Sequence, residues 1–310
     1  MTTTDPARTD PHATGPLRTM PLRTTPARPI RGLTPWQRLR GVSATTAKYL
    51  SLIIASVVTL LPLSVLLFAS LKTAPEYAQS GPFDPPSNWL NFDNFVTAFT
   101  SGKMLEGFVN TAIVLVVSLA GTIFIGTMAA YALDRFAFRG KKLVFGLFLV
   151  ATLIPSVTSQ VATFQLINGL GLYDTKAALI LLFMGTDIIA IYLFIQFMQS
   201  IPVSLDEAAM IDGANRWTIY WRIVLPLLKP AIATVVIIKG IAVYNEFYAP
   251  FLYLPSEGLI STSLFRFKGP FGAQWEVISA GTVLVIIPTL IAFLLLQRWI
   301  YKGLTSGAVK

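Results

Sequence analysis

The 310-residue sequence contains no cysteine, so it forms no disulfide and offers no thiolate to a metal or a substrate. Its one histidine, His12, lies in a low-complexity stretch rich in Thr, Pro and Arg, which removes histidine-based catalysis and histidine metal ligation as well. A Gly-x4-Gly-Lys-Ser/Thr run is missing, and with it a phosphate-cradling loop for a nucleotide. Charge is scarce, at 13% of residues against 54% hydrophobic. That balance, with a mean hydropathy of +0.65, belongs to a chain dissolved in lipid and not to a water-soluble domain with a large core. The net charge of +9 does not point to nucleic acid, because the basic residues are not gathered on one stretch that could form a basic face. They follow a membrane topology instead.

Residues 1–47 hold too few large apolar side chains to offset the entropy of ordering and are expected to be a disordered tail. The first apolar run begins near Tyr49, too far along and too long for a secretory signal, and so reads as a retained span. About 20 apolar residues cross the hydrocarbon layer, and six stretches qualify: 49–71, 108–133, 143–167, 177–198, 231–251 and 277–300. With Arg8, Arg18, Arg23 and Arg28 left out as too far from the first span, one side of that topology carries Arg31, Arg38, Arg40, Lys48, Arg135, Arg139, Lys141, Lys142, Arg216, Arg222, Lys229, Arg298, Lys302 and Lys310; the other carries Lys72, Lys103, Lys176, Arg266 and Lys268. Fourteen against five assigns both termini and the stretch 199–230 to the cytoplasm. The expected fold class is an all-α integral membrane protein of six transmembrane helices, one domain over residues 48–310.

Residues 207–226 read EAAMIDGANRWTIYWRIVLP, a charged and aromatic segment between two apolar runs. Its polarity keeps it out of the bilayer. Ser204 and Glu207 have capping-box spacing, which predicts a short helix from Leu205 with Ser204 as N-cap. Gly213 is placed to end it in a left-handed conformation. A second helix is expected from Asn215 or Arg216 toward Pro226, with Trp217, Tyr220, Trp221, Val224 and Leu228 on one face and Glu207, Asp212 and Arg216 in water.

Glu207, Ala208, Ala209, Gly213, Ile223, Leu225 and Pro226 fill, at the same spacing, every fixed position of the pattern Glu-Ala-Ala-x3-Gly-x9-Ile-x-Leu-Pro. The segment resembles the EAA loop of the membrane subunits of ABC importers. Tyr244-Asn245-Glu246-Phe247 followed by Pro250 is similar to the Trp-Asn-Glu-Phe segment of maltose-type carbohydrate permeases, with tyrosine in the place of tryptophan. Ala130–Phe136, Phe138-Arg139-Gly140, Gly169–Leu172 and the ending Gln297-Arg298 with 302–310 also fit that family, so that the likeness extends from about residue 50 to 310. The resemblance implies the permease fold of a type I importer in a bacterial plasma membrane. It also implies a second, homologous permease subunit, two ATPase subunits that bind ATP and magnesium, and an extracytoplasmic solute-binding protein. This chain would hold no cofactor or metal and catalyse no reaction. Glu207, Ala208, Ala209, Asp212, Gly213, Arg216, Ile223, Leu225 and Pro226 would form the ATPase-coupling stretch. Glu207 either caps its helix or, in addition, meets a basic residue of the ATPase.

Polar residues inside spans are costly unless paired or facing water. They are Gln160, Gln165, Asp187, Lys239, Tyr244, Asn245 and Glu246, candidates for a solute pathway or for structural pairing; Asp187 and Lys239, both near mid-span, are expected to form an ion pair. In the segment before the last span, Phe265, Arg266, Phe267 and Phe271 would touch the binding protein or anchor the chain at the bilayer surface. The small residues Thr122, Gly126 and Ala130 recur every fourth position, a stripe for close helix contact within the subunit or with a partner. A sugar, oligosaccharide or polyol is the solute that the resemblance favours. Glycerol 3-phosphate is the alternative within the class. An ion-coupled secondary transporter using Asp187 or Glu246 is the alternative outside it.

Overall fold

A computed structural model describes residues 35–306, apart from Thr186 and Phe271. Contacts divide the chain into two units, residues 1–58 and 59–310. The described part of the first unit is helical and belongs to α1, Pro35–Leu71. The disordered tail expected over residues 1–47 is therefore corrected at its far side: residues 1–34 lie outside the described residues, and 35–47 are helix. Pro35 gives the reason, since its fixed φ suits the first helical position, where a helix has no use for the missing N–H. Along α1 the hydroxyls of Ser51, Ser56, Ser64 and Ser70 donate to carbonyls three or four residues back at 2.7–2.8 Å, which satisfies them without water.

The loop after α1 is tied to the helix end. Asn91 donates to the Leu71 carbonyl and Asn94 to those of Ser70 and Lys72, at 2.8–3.0 Å, so the last turn's free acceptors find partners. Short helix α2, Ala74–Gln79, opens on a capping box between Thr73 and Glu76. The Ser87 N–H beside Glu76, 2.6 Å away, holds that carboxyl below the usual carboxylate range. Helix α3, Asp93–Ser101, buries Asn94 and Ala98 and leaves Phe92, Val96 and Phe99 exposed.

Helices α4, Met104–Arg135; α5, Lys141–Thr152; α6, Ser156–Gly169; α7, Lys176–Met184; and α8, Ile188–Met198 follow. Then come α9, Ser204–Ile211; α10, Arg216–Ile219; a π-helical turn, Tyr220–Val224; α11, Leu225–Leu227; and α12, Lys229–Asn245. Two short helices, α13, Tyr248–Tyr253, and α14, Ile260–Ser263, and a small antiparallel hairpin pairing Lys268–Gly269 with Gly272–Ala273 lead to α15, Trp275–Ser306.

Among the described residues three helices are long and apolar enough to cross a membrane: Thr46–Leu71, Met104–Arg135 and Trp275–Leu295. The number rises to five if each of two bent pairs is one span: α7 with α8, bent by 41°, and Arg216–Leu227 with α12, bent by 68°. The expected span over 143–167 is two helices, because Pro155 lacks an amide hydrogen and holds extended backbone at φ −62°, ψ 132°. The stretch 231–251 likewise breaks at Glu246, between α12 and α13.

Helix α4 packs against α7, α8, α12 and α14. Its small-residue stripe is buried inside the subunit: a Cβ on Gly126 would lie 3.0 Å from the Phe194 ring, and Thr122 donates to the Phe183 carbonyl at 3.2 Å. Gly126→Leu is expected to cost about 1–3 kcal/mol by overpacking the contact with α8, read as a lower Tm of the purified protein in detergent.

Candidate coupling surface and intramembrane charges

Helix α9 starts earlier than capping-box spacing predicts. Pro202 accepts from the Leu205 N–H, and Val203 already has helical φ and ψ of −63° and −26°. Ser204 therefore lies within the first turn and caps nothing, and Glu207 makes no return bond to it. The fixed φ of Pro202 brings the chain into the turn before a serine cap could form. The far end matches its sequence: Gly213 has φ +83°, its N–H donates to Met210 and the Ala214 N–H to Ala209, at 3.0 and 2.9 Å. These are the two bonds of a Schellman C-cap. Asn215 then caps α10 by accepting from the Thr218 N–H at 2.8 Å.

The short α9 has two unlike faces. Asp206 and Ala209 are buried, whereas Leu205, Glu207, Ala208, Met210 and Ile211 are exposed, Ile211 at 87%. Asp212, Gly213 and Arg216 continue the exposed surface, and the Arg216 guanidinium stands 5.5 Å over the Phe136 ring. Ala209, Ile223 and Leu225 point instead into the apolar cluster beneath, with Tyr220, Val224 and Leu228; Pro226 is exposed. Of the aromatic face expected on the second helix, Tyr220 is buried while Trp217 and Trp221 are exposed.

One face of α4 holds this loop. Thr127, Tyr131 and Arg135 are spaced by four and so lie in line along the helix. The Thr127 hydroxyl is 2.8 Å from the Tyr220 hydroxyl. Tyr131 makes a long hydrogen bond of 3.5 Å to the Arg216 carbonyl. Arg135 Nε lies 3.1 Å from Asp206 Oδ2, with both side chains at least 96% buried. The sequence shows Arg135 as a charge beside a span and as part of the run Ala130–Phe136, and nothing local links it to Asp206. The signal passed over was the 206/209 spacing, which puts an acid on the same helix face as a core alanine.

Inside the spans the pair expected between Asp187 and Lys239 is formed, Nζ to Oδ2 at 2.7 Å, the two side chains being 17% and 22% exposed. Asp187 also caps α8 by accepting from the Ala190 N–H at 3.0 Å. The pair lines a cavity of about 230 Å³ with Ile189, Leu193, Val235 and Ile238. Glu246 accepts from the Tyr248 and Ala249 N–H groups, opening α13. Tyr244 donates to the Val285 carbonyl, Asn245 to that of Ile241, and the Gln160 carbonyl accepts from Tyr253. Gln165 is exposed. These residues are not gathered into one site. Phe265 packs edge-on against Phe251 at 5.0 Å, Phe267 adjoins a cluster with Ala98 and Met104, and Arg266 donates to the Ser256 carbonyl at 3.3 Å. Phe271 lies outside the described residues.

Residues 122–306 match the family described as the binding-protein-dependent transport system inner membrane component. The chain belongs to that family. The match takes in α9, its Schellman cap and the α4 face that seats them. Similar curated relatives include the arabinooligosaccharides transport system permease protein AraQ of Bacillus subtilis, 30% identical over 82% of this chain and 92% of that protein. A probable starch degradation products permease, AmyC of Thermoanaerobacterium thermosulfurigenes, is 32% identical over 85% and 97%. A solved bacterial ABC transporter that imports the acidic polysaccharide alginate shares the fold, with a TM-score of 0.72 at 21% identity over 86% of this chain and 98% of that one.

Two outcomes are expected of this permease. Nothing lies within 4 Å of a Cβ built on Gly213, so substitution there costs only the left-handed conformation, about 1–2 kcal/mol for an ordinary side chain and less for Asn; uptake should fall in the order Gly, Gly213→Asn, Gly213→Val at equal membrane levels. Lys239→Met strands a partly buried carboxylate and should cost about 3 kcal/mol, while the double change with Asp187→Asn recovers most of it. Thermal unfolding in detergent of the two single variants and the double one checks the pair.

Proposed function

We propose that this chain is a permease subunit of an ATP-driven, binding-protein-dependent sugar importer of the bacterial plasma membrane. The observation that carries the reading is α9, a short helix seated on α4 by its buried face and offering an acid, Glu207, with the apolar Met210 and Ile211 on its free face. A surface that mixes exposed apolar side chains with one charge, rigidly capped between spans, suits docking into a cleft of an ATPase subunit. Closure of the ATPase pair on ATP would then rotate the helices fixed to α9 as rigid bodies, alternating access to the solute path. ATP and magnesium would be held by those two ATPase subunits. A second, homologous permease would complete the path, and an extracytoplasmic binding protein would deliver the solute to the side that holds Phe265 and Arg266. In this reading α5 with α6, α7 with α8, and α12 complete six spans with α1, α4 and α15, and both termini and α9 face the cytoplasm.

The names of the relatives support a saccharide, since arabinooligosaccharides and starch degradation products are what those permeases carry. The intramembrane charges favour a neutral solute over glycerol 3-phosphate, because the Lys239 cation is already balanced by Asp187 at 2.7 Å. They also weigh against an ion-coupled carrier: Asp187 is engaged by Lys239 and Ala190, and Glu246 is engaged as a helix cap. In proteoliposomes holding the whole complex, uptake of a neutral oligosaccharide should require both internal ATP and the binding protein. Uptake driven by a proton or sodium gradient alone would reverse the assignment.

A further inference from the structure

Asp206 is fully buried between exposed neighbours on α9. Its partner, Arg135, is the last residue of α4 and spreads one guanidinium over three attachments. Nη2 donates to the Ile201 carbonyl on the chain leaving α8 at 2.8 Å, Nη1 to Asp134 at 2.9 Å, and Nε lies 3.1 Å from Asp206 Oδ2. Neither Arg135 Nε nor either Asp206 oxygen makes an aligned hydrogen bond. The attraction across that contact is therefore Coulombic, which depends on separation and hardly on angle, whereas a hydrogen bond weakens steeply as it bends.

We infer that Arg135 is a positioning residue for the coupling helix, a pivot that delivers the motion of α9 to α4 and through α4 to α7 and α8. This rests on the coupling role proposed for α9. The covalent chain alone would carry the motion to α12 on one side and, through residues 199–203, to α8 on the other, but not to α4. Thr127 and Tyr131 on the same face hold the second half of the loop, so Arg135 closes a line of three attachments, and its charged contact is the one at the helix that docks. Lysine at this position keeps the charge but replaces a planar fork by a single point and cannot span Ile201, Asp134 and Asp206 together.

The test is the number of solute molecules moved per ATP hydrolysed by the complete transporter in proteoliposomes, for wild type, Arg135→Lys, and the apolar pair Arg135→Met with Asp206→Leu. A residue that serves folding alone lowers the amount of assembled complex and leaves that ratio unchanged; a pivot lowers the ratio in the complexes that assemble. The expected result is a fall of about tenfold in solute per ATP for Arg135→Lys and a comparable fall for the apolar pair, made together with Asp134→Asn, which should assemble because no carboxylate is then left buried without its cation. A ratio within twofold of wild type in either assembled variant overturns the inference, as does failure of both to assemble. Wild-type uptake without ATP would instead overturn the importer reading itself.

Discussion

A charge among apolar helices must be met by an opposite charge or a set of dipoles that the fold brings to it, since neither lipid nor a dry core can solvate it. Two pairs in this chain obey that constraint and fix where its elements meet. Asp187 and Lys239 join the start of α8 to the middle of α12; Arg135 and Asp206 join the end of α4 to α9. Each pair ties elements far apart in sequence, and each acid sits at or near a helix start, where the dipole favours negative charge. The apolar clusters around them set how closely the helices approach. The pairs set which residues face each other, because a one-turn slip would strand four charges.

The same constraint governs the breaks. A span that stops mid-way frees backbone groups, and the chain fills them from nearby side chains: Asp187 takes the Ala190 N–H after the α7–α8 bend, and Glu246 takes two N–H groups between α12 and α13. Asp187, Lys239, Tyr244, Asn245 and Glu246, which a hydropathy reading marks as candidates for a solute path, thus have structural partners within the subunit.

The sequence made the class and the family legible, because length, apolar content and fixed spacing are properties of the chain itself. Three of the expected spans are broken: Pro155 marks the first break in the sequence itself, whereas those after Met184 and at Glu246 coincide with no proline and leave no mark in hydropathy. The caps at Gly213 and Asn215 follow their sequence, whereas the one expected at Ser204 is overridden by a neighbouring proline. Ser204 and Glu207 have capping-box spacing and form no box, because Pro202 starts the turn too early; Thr73 and Glu76 have the same spacing and do form one, with Thr73 extended at ψ 158° and Pro75 inside the first turn, where proline is at ease. Arg135 was counted for its charge and missed for its contact, since no local pattern joins residues 135 and 206.

Mechanical coupling needs stiffness where force enters and freedom where it turns. The exposed end of α9 is stiff: Gly213 closes it with two backbone bonds, and Asn215 begins the next helix two residues later. The turning points are softer. A π-helical stretch, Tyr220–Val224, carries wider hydrogen-bonded rings and is anchored by one hydroxyl contact, Tyr220 to Thr127; beyond it the chain swings by 68° at Leu228 into α12. In the proposed coupling a push on α9 meets three routes: a bent covalent one to α12, a short covalent one to α8 through residues 199–203, and a non-covalent one to α4. Bending at the elbow would absorb displacement along the first route, while α4 is one unbroken helix of 32 residues. A rigid rod attached at its end carries displacement across a bilayer with less loss than a hinged one, and in this fold the unbroken rod is the helix to which the loop is bound by side chains.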